Sequence, residues 1–208
     1  HPDLSCSYAD GYNAMDSKKP PKDDNGHGTH VAGTIAGRWD EKGIVGVAPQ
    51  ARLMPVKVLD GEGNGWLTSI LKGIVWAANH DAQVINMSLG SSKGNFLMHL
   101  AVKYAHAKGV TIVAAAGNEG PGENTISYPG GYDESIAVAA SDVRDAVAEF
   151  SSRGKQVDFI APGMDVRSSV PGGKYEEYSG TSMATPHVAG LAALAVAQGA
   201  RGPQQVRG

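Results

Sequence analysis

His27 and Ser182 are the residues of this chain whose surroundings best suit covalent chemistry. They stand in Asn25-Gly26-His27-Gly28-Thr29-His30-Val31-Ala32-Gly33 and Gly180-Thr181-Ser182-Met183-Ala184-Thr185-Pro186-His187-Val188-Ala189-Gly190, each at the start of what reads as a small-residue helix. A serine hydroxyl is a weak nucleophile until an adjacent base takes its proton, and neutral imidazole is the usual base near pH 7. The two lie about 155 residues apart, so only tertiary folding brings them together. Between them, Ala114-Ala115-Ala116-Gly117-Asn118-Glu119-Gly120 offers Asn118, an amide of the kind that stabilises an oxyanion. Taken singly, each has a plainer role: an N-cap serine, a structural histidine, an asparagine in a glycine-flanked turn. His30 and His187 fit the structural role better than His27 does. A zinc site on His27 and His30 lacks a third-ligand motif such as His-Glu-x-x-His.

The elements that must position these groups alternate between strand and helix. Residues 52–59 read as a strand ending in the glycine-rich stretch 60–65. Residues 68–79 read as an amphipathic helix, with Ile70, Leu71, Ile74, Val75 and Ala78 near helical spacing. Residues 83–89 form the next strand, and 96–108 a helix ended by Gly109. Apolar runs follow at 110–116, 135–140 and 157–161. Near-continuous apolar strands separated by helices predict an α/β fold, a three-layer, doubly wound parallel sheet with helices on both faces. The polar stretch 7–24 reads as a surface excursion, and the stretch to Gly208 as the start of a further helix.

The three motifs, in this order, resemble those of the subtilisin-like serine proteases, and the resemblance runs from His1-Pro2-Asp3-Leu4 to the helix after Ser182. It implies a serine endopeptidase. Ser182 attacks the scissile carbonyl, His27 is general base and then acid to the leaving amine, and Asn118 with the Ser182 backbone N–H holds the oxyanion. The family's catalytic aspartate lies in an Asp-Ser/Thr-Gly motif on a strand just before a His-Pro-Asp-Leu-like segment. Here the chain opens on that segment, so the aspartate is expected upstream of residue 1. Residues 1–208 are then expected to be one peptidase domain truncated at both ends, poorly active by itself. In a subtilisin, loss of that aspartate alone lowers turnover by about 3 × 10⁴. Asp10-Gly11 is not the motif, and Asp23 and Asp24 match acidic positions that have no triad role in the family.

The resemblance also implies how substrate binds, as an extended strand between Gly63-Asn64-Gly65 and Ser88-Leu89-Gly90. Ser88 to Gly90 and Ala115 to Gly117 line the pocket for the residue before the cleaved bond, with Glu119 at its rim and Ser127 at its base. A serine where many relatives carry glycine is expected to shrink that pocket, and Glu119 to favour a polar or basic side chain. Structural Ca²⁺ is implied at the loop Arg38-Trp39-Asp40-Glu41-Lys42-Gly43-Ile44, held through Asp40, backbone carbonyls of Arg38, Lys42 and Ile44, and the remote carboxylate of Asp3. The family often has a cis peptide at the place of Tyr128-Pro129, although trans is the general rule for X-Pro.

Composition narrows the rest. The 208 residues are 41% hydrophobic and 19% charged, which suits one globular domain with a core. A net charge of −3 gives no basis for nucleic-acid binding, and no apolar run reaches the ~18 residues of a membrane span. The single cysteine, Cys6, excludes an internal disulfide and reads as a packed thiol. Secretion, a removed N-terminal propeptide, polypeptide substrates and a monomeric state are implied by the family. A pseudoprotease that keeps the groove without the reaction is the rival reading, and the joint retention of His27, Asn118 and Ser182 argues against it. An ester hydrolase of the α/β-hydrolase type requires Gly-x-Ser-x-Gly, where this chain has Gly-Thr-Ser-Met-Ala.

Overall fold

The computed structural model describes residues 1–4 and 8–208, so Cys6 lies outside the described residues. In chain order its elements are β1 (Tyr12–Asn13), α1 (His27–Ala36), β2 (Val56–Lys57), α2 (Leu67–Asn79), β3 (Val84–Met87), α3 (Phe96–Ala107), β4 (Thr111–Ala115), β5 (Ser135–Ser141), β6 (Val157–Pro162), β7 (Val166–Val170), β8 (Lys174–Tyr178), α4 (Thr181–Ala197) and α5 (Gly202–Arg207).

Strands β3, β4, β5 and β6 pair in that order as one parallel sheet, with Val84 opposite Thr111 and Ile112 opposite Ser135. Alternation along β4 produces the layers. Ile112 and Ala114 turn to Ile74 and Ala78 of α2 and to Met98, Val102 and Ala105 of α3. Val113, between them, turns the other way, to Ala184, Val188 and Ala189 of α4. A strand covered on both faces needs apolar residues at every position, which is why this segment reads as an unbroken run. Helix α1 packs on α4, completing the second helical layer. The α/β, helix-covered parallel sheet expected from the sequence is what the chain forms.

Other elements differ from expectation. The strand expected over 52–59 contracts to β2, because Pro55 has no N–H to give a ladder; its carbonyl instead accepts from Tyr12 N–H at 2.9 Å. That pairing draws part of the supposed excursion 7–24 inward. β1 runs parallel to β2, Asn13 and Ala14 are buried, and the Tyr12 ring stacks on Trp76 with centroids 5.3 Å apart. Among the described residues the β1–β2 pair is not hydrogen-bonded to β3. Strands β7 and β8 form an antiparallel hairpin around Pro171-Gly172-Gly173 that no sequence pattern announced.

Candidate active site

Pro186 shapes the surroundings of Ser182, four residues before it in the first turn of α4. Proline has no N–H, so the Ser182 carbonyl lacks its helical donor. Ser88 Oγ takes that place at 2.8 Å. In return Ser182 Oγ donates to the Ser88 carbonyl at 3.2 Å, and Asn86 Nδ2 donates to Ser88 Oγ at 3.0 Å. The end of β3 is thereby clamped to the turn that carries the hydroxyl. The Ser182 N–H itself belongs to the first helical turn, whose donors have no partner within the helix.

Asn118 joins the same cluster. Its Oδ1 accepts from Thr181 N–H at 2.9 Å and from Thr181 Oγ1 at 3.0 Å, while Gly117 N–H donates to Thr181 Oγ1 at 3.2 Å. With the oxygen committed, the NH₂ end is the one left to act as donor. A methyl placed on Gly180 would lie 3.7 Å from Ser182 N and 3.8 Å from Asn118 Nδ2, so both donors border one space that glycine keeps open. Thr181 was not singled out from the sequence. Its only signal there is its place beside Ser182.

His27 is the first residue of α1, and its N–H donates to Asn25 Oδ1 at 3.1 Å. Asp23 caps this helix. Its Oδ1 accepts from the N–H groups of Asn25 and Gly26 at 3.0 and 2.8 Å, and its Oδ2 from Thr29 N–H and Oγ1 at 2.8 and 2.6 Å. Burial pushes the Asp23 carboxyl up, but these bonds outweigh it and hold it below the usual aspartate value. Asp24 pairs with Lys57. Among the described residues no hydrogen bond engages the His27 ring, and Ser182 Oγ is turned to Ser88 rather than to it. The helices that begin at these two residues pack on each other, and α1 also contacts β7. Burial lowers the His27 imidazole below its usual 6.5, the nearby His30 lowers it further, and Asp23 opposes both. A neutral ring is the form that accepts a proton.

The other histidines are structural in their contacts. His187 Nδ1 donates to the Met183 carbonyl at 2.9 Å, within its own helix. The His30 ring bonds to the carbonyls of Val166 and Glu176. No three His, Cys, Asp or Glu side chains gather among the described residues, so the zinc reading finds no ligand set.

Two segments flank this cluster. The turn holding Gly63, Asn64 and Gly65 is exposed and is organised by Asp60, whose Oδ1 accepts from Glu62 and Asn64 N–H at 2.9 Å each. Asn64 O and Gly63 N–H are also bonded to the Asp60 backbone, and Asn25 Nδ2 ties Gly61 O to the start of α1 at 3.0 Å. Gly65 alone of the three has both backbone groups unengaged by the described residues. On the other side, Ser91 and Tyr128 exchange backbone bonds of 2.9 and 2.8 Å, aligning Leu89 and Gly90 beside Ser127. Ser127 is buried, its N–H bonded to Ala116 O at 2.7 Å. A methyl on Gly90 would come within 3.1 Å of Ser127 Cβ, and one on Gly117 would collide with Ser127 Oγ. Ser127 therefore packs against both of those glycines, and Ala115 at the end of β4 is buried. Glu119 is exposed, its N–H bonded to Ser152 Oγ at 3.0 Å, and the Tyr128–Pro129 peptide is cis.

Of the candidate metal residues, Arg38 and Ile44 are bonded to Asp3. Its buried carboxylate accepts from Tyr175 OH at 3.0 and 2.9 Å and from Ile44 N–H at 3.1 Å, and its carbonyl accepts from Arg38 N–H at 3.0 Å. Half-buried Asp40 accepts from Lys42 N–H at 3.3 Å. The carbonyls of Lys42 and Ile44 accept no hydrogen bond from the described residues. Two carboxylates and free carbonyls around one loop are the hard oxygen donors that suit Ca²⁺, with Tyr175 sharing the Asp3 carboxylate.

Comparison with known proteins gives one answer. The sequence pattern of the subtilase family matches residues 1–207. An intracellular serine protease of Paenibacillus polymyxa is 47% identical over 201 residues, covering 93% of this chain and 62% of its own length. Subtilisin E of Bacillus subtilis (strain 168) is 46% identical over 196 residues, covering 93% of this chain and 51% of its own. The solved structure of Sphericase superposes with a TM-score of 0.93 at 41% identity, covering 100% of this chain and 76% of that one. The chain thus spans between half and two thirds of the length of these curated relatives.

Proposed function

This chain belongs to the subtilase family, and we propose that it carries the nucleophile, base and oxyanion donors of a serine endopeptidase. The observation that carries this reading is the cluster at the start of α4, where two hydrogen bonds join Thr181 to Asn118, one joins Gly117 to Thr181, and two join Ser182 to Ser88. In the reaction, the Ser182 hydroxyl turns its proton from the Ser88 carbonyl to the His27 ring. Ser182 Oγ attacks the carbon of a peptide carbonyl while His27 takes the hydroxyl proton, and the oxyanion forms in the space beside Gly180, facing Ser182 N–H and Asn118 Nδ2. His27 then protonates the leaving amine, and water cleaves the acyl-enzyme by the reverse proton path.

The acid that orients His27 is proposed to precede His1, because Asp23 is committed to four bonds with α1 and Asp24 to Lys57. The strand bearing it is proposed to pair with β3, whose other edge has no strand partner among the described residues. Substrate is proposed to lie between Gly65 and Leu89–Gly90, its side chain entering a slot closed by Ser127, with Glu119 at the rim. Calcium is proposed as a structural ion held by Asp3, Asp40 and the carbonyls of Arg38, Lys42 and Ile44. An N-terminal propeptide, a monomeric state and secretion are proposed from the family. Fractionating medium and lysate tests the last, since one relative is by name intracellular. Among the described residues no helix is long and apolar enough to cross a membrane.

The deciding experiment is titration of the natural-length protein with a fluorophosphonate probe. Stoichiometric labelling at Ser182, abolished by Ser182→Ala and strongly slowed by His27→Ala, is expected. A folded, correctly processed protein that stays unlabelled would replace this reading with the pseudoprotease.

A further inference from the structure

The ring of His30 is fully buried, yet it has no part in the reaction as described. Its Nε2 lies 2.9 Å from the carbonyl oxygen of Val166 on β7 and 3.1 Å from that of Glu176 on β8. Two carbonyls require a donor, so Nε2 carries the proton of the neutral ring, and Nδ1 is left as a buried acceptor without a partner. Burial also disfavours the charged ring. An unpaired buried nitrogen is a cost that an apolar side chain of similar size avoids, so the value of this ring lies in the two bonds at its other nitrogen.

Those bonds are answered from the hairpin. Ser168 Oγ donates to the His30 carbonyl at 2.7 Å, and Ser169 Oγ to the Thr29 carbonyl at 3.1 Å. Gly33 makes the approach possible, since a methyl there would collide with both serine hydroxyls. The Tyr178 ring stacks on His30 with centroids 4.3 Å apart and planes 12° from parallel. His30 lies one helical turn after His27, and Tyr178 ends β8 four residues before Ser182. The clasp therefore spans the two segments that carry base and nucleophile.

We propose that His30 is a positioning residue of the hydrolysis: its Nε2–H clasps both strands of the β7–β8 hairpin and so sets where α1 holds His27 relative to Ser182. This rests on the serine-protease reading. A misplacement of about 1 Å between reacting groups costs on the order of 10²-fold in rate. His30→Met keeps volume without a donor, whereas His30→Gln keeps a side-chain N–H.

The test measures acylation rate per folded molecule in the natural-length protein, with peptide substrate and fluorophosphonate active-site counts. His30→Met is expected to lose about 10²-fold in kcat with KM changed by less than about threefold, and His30→Gln to regain most of it. Val102→Ala, in α3 on the opposite face of the sheet, controls for stability alone. It is expected to lower the melting temperature with kcat per folded molecule unchanged. Ring ¹⁵N spectra of the unsubstituted protein should show His30 as the Nε2–H tautomer. Equal kcat per folded molecule in the Met and Gln variants, or an Nδ1–H tautomer, overturns the assignment alone. Absence of labelling in the unsubstituted protein overturns the protease reading and this assignment with it.

Discussion

In the proposed mechanism Asn118 performs two tasks with its two amide atoms, and two substitutions separate them. Oδ1 receives both Thr181 bonds, at 2.9 and 3.0 Å, while Nδ2 borders the space beside Gly180. Asn118→Leu removes both. Two bonds at about 1 kcal/mol each, with the Thr181 groups left to find other partners, give a loss of about 1–3 kcal/mol. For a domain of this size that corresponds to about 2–12 °C in melting temperature. Asn118→Asp keeps the acceptor, and a carboxylate at the N-terminus of α4 gains about 0.3–1 kcal/mol from the helix dipole. Its melting temperature should therefore hold or rise. The rate behaves otherwise. Loss of an oxyanion donor of this kind in a subtilisin lowers kcat by about 10²–10³, and the aspartate adds a charge repelling the developing oxyanion. Both variants should thus lose at least about 10²-fold in kcat with KM little changed, and only the leucine variant should melt earlier. The assay pairs burst-phase acylation, normalised by active-site titration, with thermal melts. An Asn118→Asp enzyme retaining kcat within tenfold of the unsubstituted protein would refute the oxyanion assignment. Equal melting losses in the two variants would refute the division of labour.

Four further outcomes follow from the geometry. Asp23→Ala, which strips the cap from α1, should cost about 1–2 kcal/mol in stability yet change kcat per folded molecule by less than about threefold; a loss near 10⁴ would make Asp23 the triad acid after all. His27, His30 and His187 are all held below their usual 6.5 chiefly by burial, so the unfolded chain binds more protons between the depressed values and 6.5. Stability should be complete above about pH 6.5 and fall as pH drops through that window, and a melting temperature flat from pH 7 to 5 would contradict it. Ser127→Gly should deepen the slot between Gly90 and Gly117 and raise kcat/KM for substrates with a large side chain before the cleaved bond, relative to alanine there; an unchanged ratio would remove Ser127 from the pocket. Chelation of Ca²⁺ should lower the melting temperature, and Asp40→Ala should abolish that sensitivity; indifference to chelator would leave Asp3 a purely protein-bonded carboxylate.

What the sequence revealed is what local chemistry dictates. The run 110–116 announced a strand covered on both sides because each of its residues is buried, whichever way it points. Helix α2 was legible because its apolar positions recur at helical spacing. The β7–β8 hairpin was not. Lys174, Glu176 and Glu177 give β8 no apolar face, and the hairpin is held instead by His30 and the two serines, across more than 130 positions of sequence. No window of neighbouring residues contains that partnership. Pro55 likewise shortened a strand whose apolar content alone argued for greater length.

The same distinction runs through the site. Ser182, His27 and Asn118 stand out in the sequence as candidates because their three motifs occur together and in order, although each taken singly has a plainer role. Thr181 does not stand out, and neither does the bonding of Ser88, named only as a substrate-pocket residue, to Ser182, since each meets a bonding need created elsewhere. Pro186 frees the Ser182 carbonyl and Ser88 fills it; Thr181 occupies the Asn118 oxygen and leaves its NH₂ as the donor. A proline inside a helix ordinarily costs a hydrogen bond. Here the vacancy becomes the joint between β3 and α4, and the turn bearing the nucleophile is held from outside its own helix. The clasp at His30 works by the same logic, with helical carbonyls of α1 and strand carbonyls of the hairpin each taking a side-chain donor from the opposite element. On the proposed mechanism, the positions of His27 and Ser182 are set by side-chain-to-backbone bonds between elements, so substitutions there should alter rate and stability in separable proportions.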